Sequence, residues 1–278
     1  DAVMTTHALT FTNDGVNNDG SANTNTFAAG AVTSTTGNLL ITDDSANALA
    51  VTIGSYTASS TGDFSVIGKD PNDATNVTAT VTGALSTGGA LNVVNQETDA
   101  AGVVTLTVGG NTTVVGATSV TAGAFNGAHA ALNLDGASNT FTGAVTVATG
   151  TAGTTADLTL SGAANTFNGG LVLTEVNGTT TLTVDGTVAQ TVTGVISGAG
   201  DIAVTNTHAS GVTFAGNSTN NGTLTVNNNG NNQAVAFTGD WASAVKLGDN
   251  SGADTITATF GGTADTAVSG AIAGDVAE

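Results

Sequence analysis

The residues best able to do chemistry are acidic and cluster in loops. "NDGVNNDG" (residues 13–20) carries Asp14 and Asp19, and "GDNSGADTI" (residues 248–256) carries Asp249 and Asp254. Ca2+ takes about 6–8 oxygens from carboxylates, amides and carbonyls. These four aspartates are therefore candidate Ca2+ ligands, although Asp, Asn and Gly are also the ordinary material of turns. The three histidines, His7, His129 and His208, fall in separate regions. His208 has Asp201 and Ser210 nearby, but three polar residues near one turn do not amount to an oriented catalytic triad. Glycoside hydrolysis needs two carboxyl groups about 5–9.5 Å apart. Asp43 and Asp44 are adjacent, and adjacent strand residues point to opposite faces. A β-helical lyase would use Arg or Lys against a sugar carboxylate, and the chain has no Arg. The expectation is a non-enzymatic protein with no catalytic residues, a β-helical polysaccharide-active enzyme being the lesser alternative.

Composition narrows the partners. The 278 residues include 21 acidic residues and only two basic ones, for a net charge of −19. Lys69 and Lys246 cannot replace the counterions of a nucleic acid or draw the chain to anionic lipid. Small cations are the natural compensating partners. There is no cysteine, hence no disulfide framework. No apolar run reaches the length of a membrane span. The opening "DAVMTTHALTF" shows no basic and apolar leader, which fits either a cytosolic protein or a secreted one after signal removal. The scarcity of Lys and Arg to cleave after favours the second, an extracellular location.

The elements that must carry these residues are announced by a repetition. "LNLDGASNTFTG" (residues 132–143) and "LTLSGAANTFNG" (residues 158–169) start 26 residues apart and agree at eight of twelve positions. Apolar–polar–apolar triplets recur from Leu106, Leu132, Leu158, Leu182, Ile202 and Leu224, in steps of 26, 26, 24, 20 and 22. Repeats of this length mark stacked units that cannot bury an apolar face alone. Within one unit, alternation places Leu158, Leu160, Phe167, Leu171 and Leu173 on a single face. Frequent Gly and Asn and abundant β-branched residues exclude helices. The fold expected is all-β: a parallel β-helix, or β-solenoid, with a right-handed coil. Residues 96–278 hold the regular repeats of about 20–26 residues. Residues 1–95 form a less regular part, either looped coils or a β-sandwich, with candidate strands from Leu9, Leu39, Leu49, Phe64, Val77 and Leu91.

At "SGAANTFNGG", "LTVDG" and "VISGAGDIAVT" the chain resembles the passenger repeat of bacterial autotransporters and the Thr/Asn/Gly-rich proteins of bacterial surface layers. The match is best over residues 132–226. The resemblance implies architecture and a bacterial cell-surface location, and leaves activity open, since such passengers include adhesins, proteases and coats. No C-terminal membrane barrel or aromatic-ended final strand is visible in these residues. Gly252-Ala253-Asp254-Thr255-Ile256 is similar to half of a Ca2+-binding nonapeptide, G-G-x-G-x-D-x-U-x. "GGTADTAV" (residues 261–268) misses that spacing.

The sequons at Asn76, Asn111, Asn177, Asn217 and Asn221 are what an Asn- and Thr-rich chain produces by chance. Trp241 and Tyr56 read as packing or end-cap residues rather than a sugar platform. Neither terminal stretch reads as an amphipathic capping helix, so copies of the chain are expected to meet by strand addition at open β ends. Together these readings favour a self-assembling extracellular surface layer or filament. Its partner would be itself, end to end or laterally, with Ca2+ as the one cofactor in view. A cell-surface adhesin binding glycans or a host surface is the alternative.

Overall fold

The computed structural model describes residues 2–4, 9–13, 24–43, 45, 47–69, 76–98, 101–228, 232–249, 255–261, 270 and 272–274. These form a 26-stranded sheet, β1 to β26 in chain order, wound so that each strand pairs in parallel with strands one winding away. The winding has three sides. The first stacks the leading halves of β3 (Asn25–Ser34) and β5 (Leu49–Ala58), then β7 (Asn76–Val81), β10 (Val103–Val108), β13 (His129–Leu134) and β16 (Thr155–Leu160). It continues through β18 (Thr179–Val184), β20 (Asp201–Val204), β22 (Thr223–Asn228), β24 (Ala244–Asp249) and β26 (Ile272–Gly274).

The second side runs from β1 (Ala2–Met4) through the trailing halves of β3 and β5 to β8 (Leu85–Thr87), β11 (Thr112–Val114) and β14 (Ser138–Phe141). The front halves of β17 (Ala164–Thr174) and β19 (Gln190–Gly198) follow, then β21 (Val212–Phe214), β23 (Gln233–Phe237) and β25 (Ile256–Phe260). The third side holds β2 (Leu9–Asn13), β4 (Leu39–Asp43), β6 (Phe64–Gly68), β9 (Leu91–Asn95), β12 (Thr118–Ala122), β15 (Val145–Thr149) and the rear halves of β17 and β19. Beyond β19 it thins to isolated bridges, Ile196 to Ser218 and Ser218 to Trp241.

The repeated sentence is thereby explained. Leu106, Leu132, Leu158, Leu182, Ile202 and Leu224 are register partners in successive windings, and all are buried. The steps read from the sequence are the lengths of the windings. Each such side chain contributes about 1.5–3 kcal/mol by leaving water. The face expected for one unit is buried throughout: Leu158, Leu160, Phe167, Leu171 and Leu173 all point inward. In the doubled motif Phe141 lies on Phe167, the rings stacked at 5.3 Å and 9°.

The less regular stretch enters the same three sides. Strands β5 and β7, β5 and β8, and β6 and β9 pair in parallel, so they are looped windings and not the antiparallel sheets of a sandwich. The candidate strands at Leu9, Leu39, Leu49, Phe64, Val77 and Leu91 all lie in strands. No helix among the described residues is long and apolar enough to cross a membrane.

Candidate functional site

The acidic clusters give the shortest account. Asp14, Asp19 and Asp254 lie outside the described residues, and Asp249 ends β24, where its backbone pairs with Asn228 while its side chain is outside them. Asp44 and His7 are outside as well. Among the described residues, no three His, Asp or Glu side chains gather in a metal-binding group.

The Asp201, His208 and Ser210 set is held by local bonds. The Ser210 amide donates to His208 Nδ1 at 3.1 Å, and the His208 amide donates to Asn206 Oδ1 at 2.7 Å. Asp201 Oδ1 instead accepts the Thr223 amide from the next winding, at 2.9 Å. Each residue is thus engaged with backbone in a turn or a rung, and the ring nitrogen meets the serine amide rather than its hydroxyl. Asp43 is buried, and its Oδ1 accepts the Ser45 amide at 3.1 Å and the Ser45 hydroxyl at 3.0 Å.

The arrangement of Asx side chains elsewhere shows what many of these residues do. Asn38 Oδ1 accepts the Asp63 amide at 2.9 Å, and Asp63 Oδ1 accepts the Ala90 amide at 2.7 Å. Asn111 does the same for Ser138, Asn217 for Asp240 and Asn232 for Thr255, each at 3.0 Å. In every case a corner side chain receives an N–H from the following winding. These corner amides have no strand partner, so the side-chain oxygen takes the place of a backbone carbonyl. Two sequons, Asn111 and Asn217, therefore have their side-chain oxygens committed to a neighbouring winding.

A second polar ladder is internal. Asn139 and Asn165, the same letter of the doubled motif, are buried and bonded to each other, Asn139 Nδ2 to Asn165 Oδ1 at 2.9 Å. Asn139 Nδ2 also donates to Gly136 O at 3.1 Å, and Asn165 Nδ2 to Gly162 O at 3.0 Å. Asn139 Oδ1 accepts the Thr112 amide at 3.2 Å.

Sequence reasoning missed one contact between side chains that can carry charge. His129 Nε2 lies 2.9 Å from Asp157 Oδ2, across the β13 and β16 rungs of the first side. The signal was present: the 26-residue step sets His129 against Thr155, two residues short of Asp157.

The two single aromatics pack as expected. Tyr56 is buried, and its hydroxyl donates to Gly37 O and Asp63 O, both at 3.3 Å. Burial first, and the nearby Asp63 carboxylate second, push its phenol up to about 12. Trp241 is buried against Phe237 and Phe214, with ring centroids at 4.6 and 5.1 Å.

The outer surface is regular. On the second side Thr33, Thr57, Ser86, Thr113, Thr140, Thr166 and Thr193 are register partners in sequence, an unbroken column of hydroxyls. Strand pairing spaces such residues about 4.8 Å apart. Fold and surface together define a parallel β-solenoid with polar corner ladders. Compared with known proteins, the chain matches no family model, no curated protein and no solved structure.

Proposed function

We propose that the protein is a non-enzymatic structural subunit of an extracellular surface layer or filament. The observation that supports this best is the continuity of the stack: parallel pairing on the first side runs through every strand from β3 to β24. Its outward positions are dominated by short polar side chains, a composition suited to a rigid element repeated in contact with copies of itself. One route to assembly is strand addition. Among the described residues β25 and β26 pair through one edge only, and such an edge is a template for another strand. A heterologous contact of this kind that does not close produces filaments or sheets. At −19 per chain, divalent cations, Ca2+ among them, would offset repulsion between copies.

A second reading is a cell-surface adhesin stalk of the autotransporter passenger type. It rests on the motif region, residues 132–226, where the resemblance is best and the doubled motif stacks in register. The two readings differ in a simple experiment: size-exclusion chromatography and negative-stain microscopy of the purified chain, with and without Ca2+. The subunit reading expects filaments or sheets that a chelator weakens. An exclusively monomeric rod that binds a glycan or host surface supports the adhesin instead.

A further inference from the structure

Of the three outer sides only the first carries charge at outward positions, and the second presents only Ala, Ser and Thr from β3 to β23. The first side carries Asp157, Asp201 and Lys246 at outward positions. On the third side every outward position of β4, β6, β9, β12, β15 and the rear of β17 is apolar, Ser, Thr or Asn92. The apolar members are Leu40, Ile67, Val94, Ala148 and Val172, all half-buried, on two neighbouring rows of register partners. Charged residues sit at the margins: Asp63 just before β6, Lys69 just after it and Glu175 just after β17. In a chain with 21 acidic residues, a flat face free of charge and rimmed by it has the make-up of a protein interface.

We infer that this third side is the lateral docking face for a second copy of the chain. The inference rests on the structural-subunit reading and names the surface that reading would use. Charge selects the occupant. Two chains of −19 repel wherever carboxylates face each other. Of the two sides without outward charge the third alone sets Leu, Ile and Val side chains outward, so copies can bury apolar surface there without burying a carboxylate. A cationic partner would gain little on a neutral face and would be drawn to the carboxylates elsewhere on the chain. Area is sufficient. Windings rise about 4.8 Å and strand residues about 3.3 Å, so the stack from β4 to β17 by five residues gives a face of roughly 25 by 16 Å. With its margins, that is about 500 Å2 on each copy, or about 1,000 Å2 in total, at the threshold for a specific interface.

The test uses the intact chain. Val94 and Thr121 are register partners on adjacent windings of this face. The double variant Val94→Asp/Thr121→Asp is expected to weaken self-association at least tenfold in sedimentation equilibrium. The same change on the second side, Thr113→Asp/Thr140→Asp, is expected to shift it less than twofold. Because the chain has no cysteine, a spin label on Ser119→Cys gives an independent readout without adding charge. It is expected to lose mobility as protein concentration rises, while one on Thr113→Cys stays mobile. If the parent chain associates, yet neither Asp pair changes association and the Ser119 label stays mobile, the docking face is wrong and the subunit reading stands. If the parent chain is monomeric at every concentration, with or without Ca2+, both fall, and the face is left for a different partner.

Discussion

The windings around the doubled motif and those after β19 solve the same packing problem differently. From β10 to β16 a winding takes 26 residues, and all three sides carry strands. From β18 to β22 it takes 20 and then 22, and the third side shrinks to the rear of β19 and then to single bridges at Ser218 and Trp241. The long windings hold their corners with the buried Asn139–Asn165 ladder and fill the core with aliphatic side chains and one ring pair. The short windings draw the third side inward, and aromatic rings occupy the space. Phe214, Phe237 and Phe260 stack at 5.7 and 5.0 Å, with Trp241 wedged against the first two. The corner there is held by hydroxyls, Ser218 Oγ to Ser243 Oγ at 3.2 Å and Ser243 Oγ donating to Asn220 O at 2.9 Å. The short windings thus coincide with a shortened third side and an aromatic core.

The largest expected effect breaks the short windings. Trp241→Ala removes the ring that substitutes for a missing side, and loss of a large buried ring costs about 3–5 kcal/mol. Because a solenoid's stability is shared between neighbours, hydrogen exchange should rise from β21 to β25 and stay unchanged at β13 and β16. An equal rise in both regions would contradict the distinction. Next is Asn165→Ala in the long windings. It strips Gly162 O and Asn139 of a buried partner, for about 1–3 kcal/mol. Urea unfolding should record that loss, and Asn165→Asp, which cannot donate to Gly162 O, should not restore it.

The smallest effect at neutral pH belongs to Tyr56, among the earlier looped windings. Tyr56→Phe removes two hydroxyl bonds, for about 1 kcal/mol. Its raised phenol pKa makes a second contribution with a definite pH dependence. The folded chain holds the proton more tightly than the unfolded chain, whose phenol titrates near 10. Stability from this source is complete below about 10 and is lost as pH climbs toward 12. Alkaline melts of the parent should fall across that window, and those of Tyr56→Phe should be flatter there.

Much of this was legible in residue order. The recurrence of Leu132, Leu158 and Leu182 required matching windings, and the matched letters Asn139/Asn165 and Phe141/Phe167 required stacking. What could not be read was the use of the corner residues. Asn111 and Asn217 look like any turn residue or sequon, and only the winding length shows that each faces an N–H some 23 to 27 residues later. The strand β3 was hidden because "NTFAAGAVTS" has Phe27 and Val32 as its only apolar side chains larger than Ala. Its assignment comes from pairing with β5 on two sides at once. Nor did alternation distinguish the three outer sides, since Thr and Ser occur on all of them. Their difference lies in where register places Asp157 and Asp201 on the first side and Leu40, Ile67, Val94 and Val172 on the third.

The most direct test of the stacked, in-register windings uses the absence of cysteine. Thr140 and Thr166 are register partners on the second side, whereas Thr140 and Ala164 are offset by two residues. Disulfides need Cα atoms about 4.4–6.8 Å apart, and strand spacing meets this only for the first pair. Under mild oxidation Thr140→Cys/Thr166→Cys should form an intramolecular disulfide quickly and nearly completely, and Thr140→Cys/Ala164→Cys should lag far behind. Equal cross-linking of both pairs, or none in the first, would contradict the winding described here.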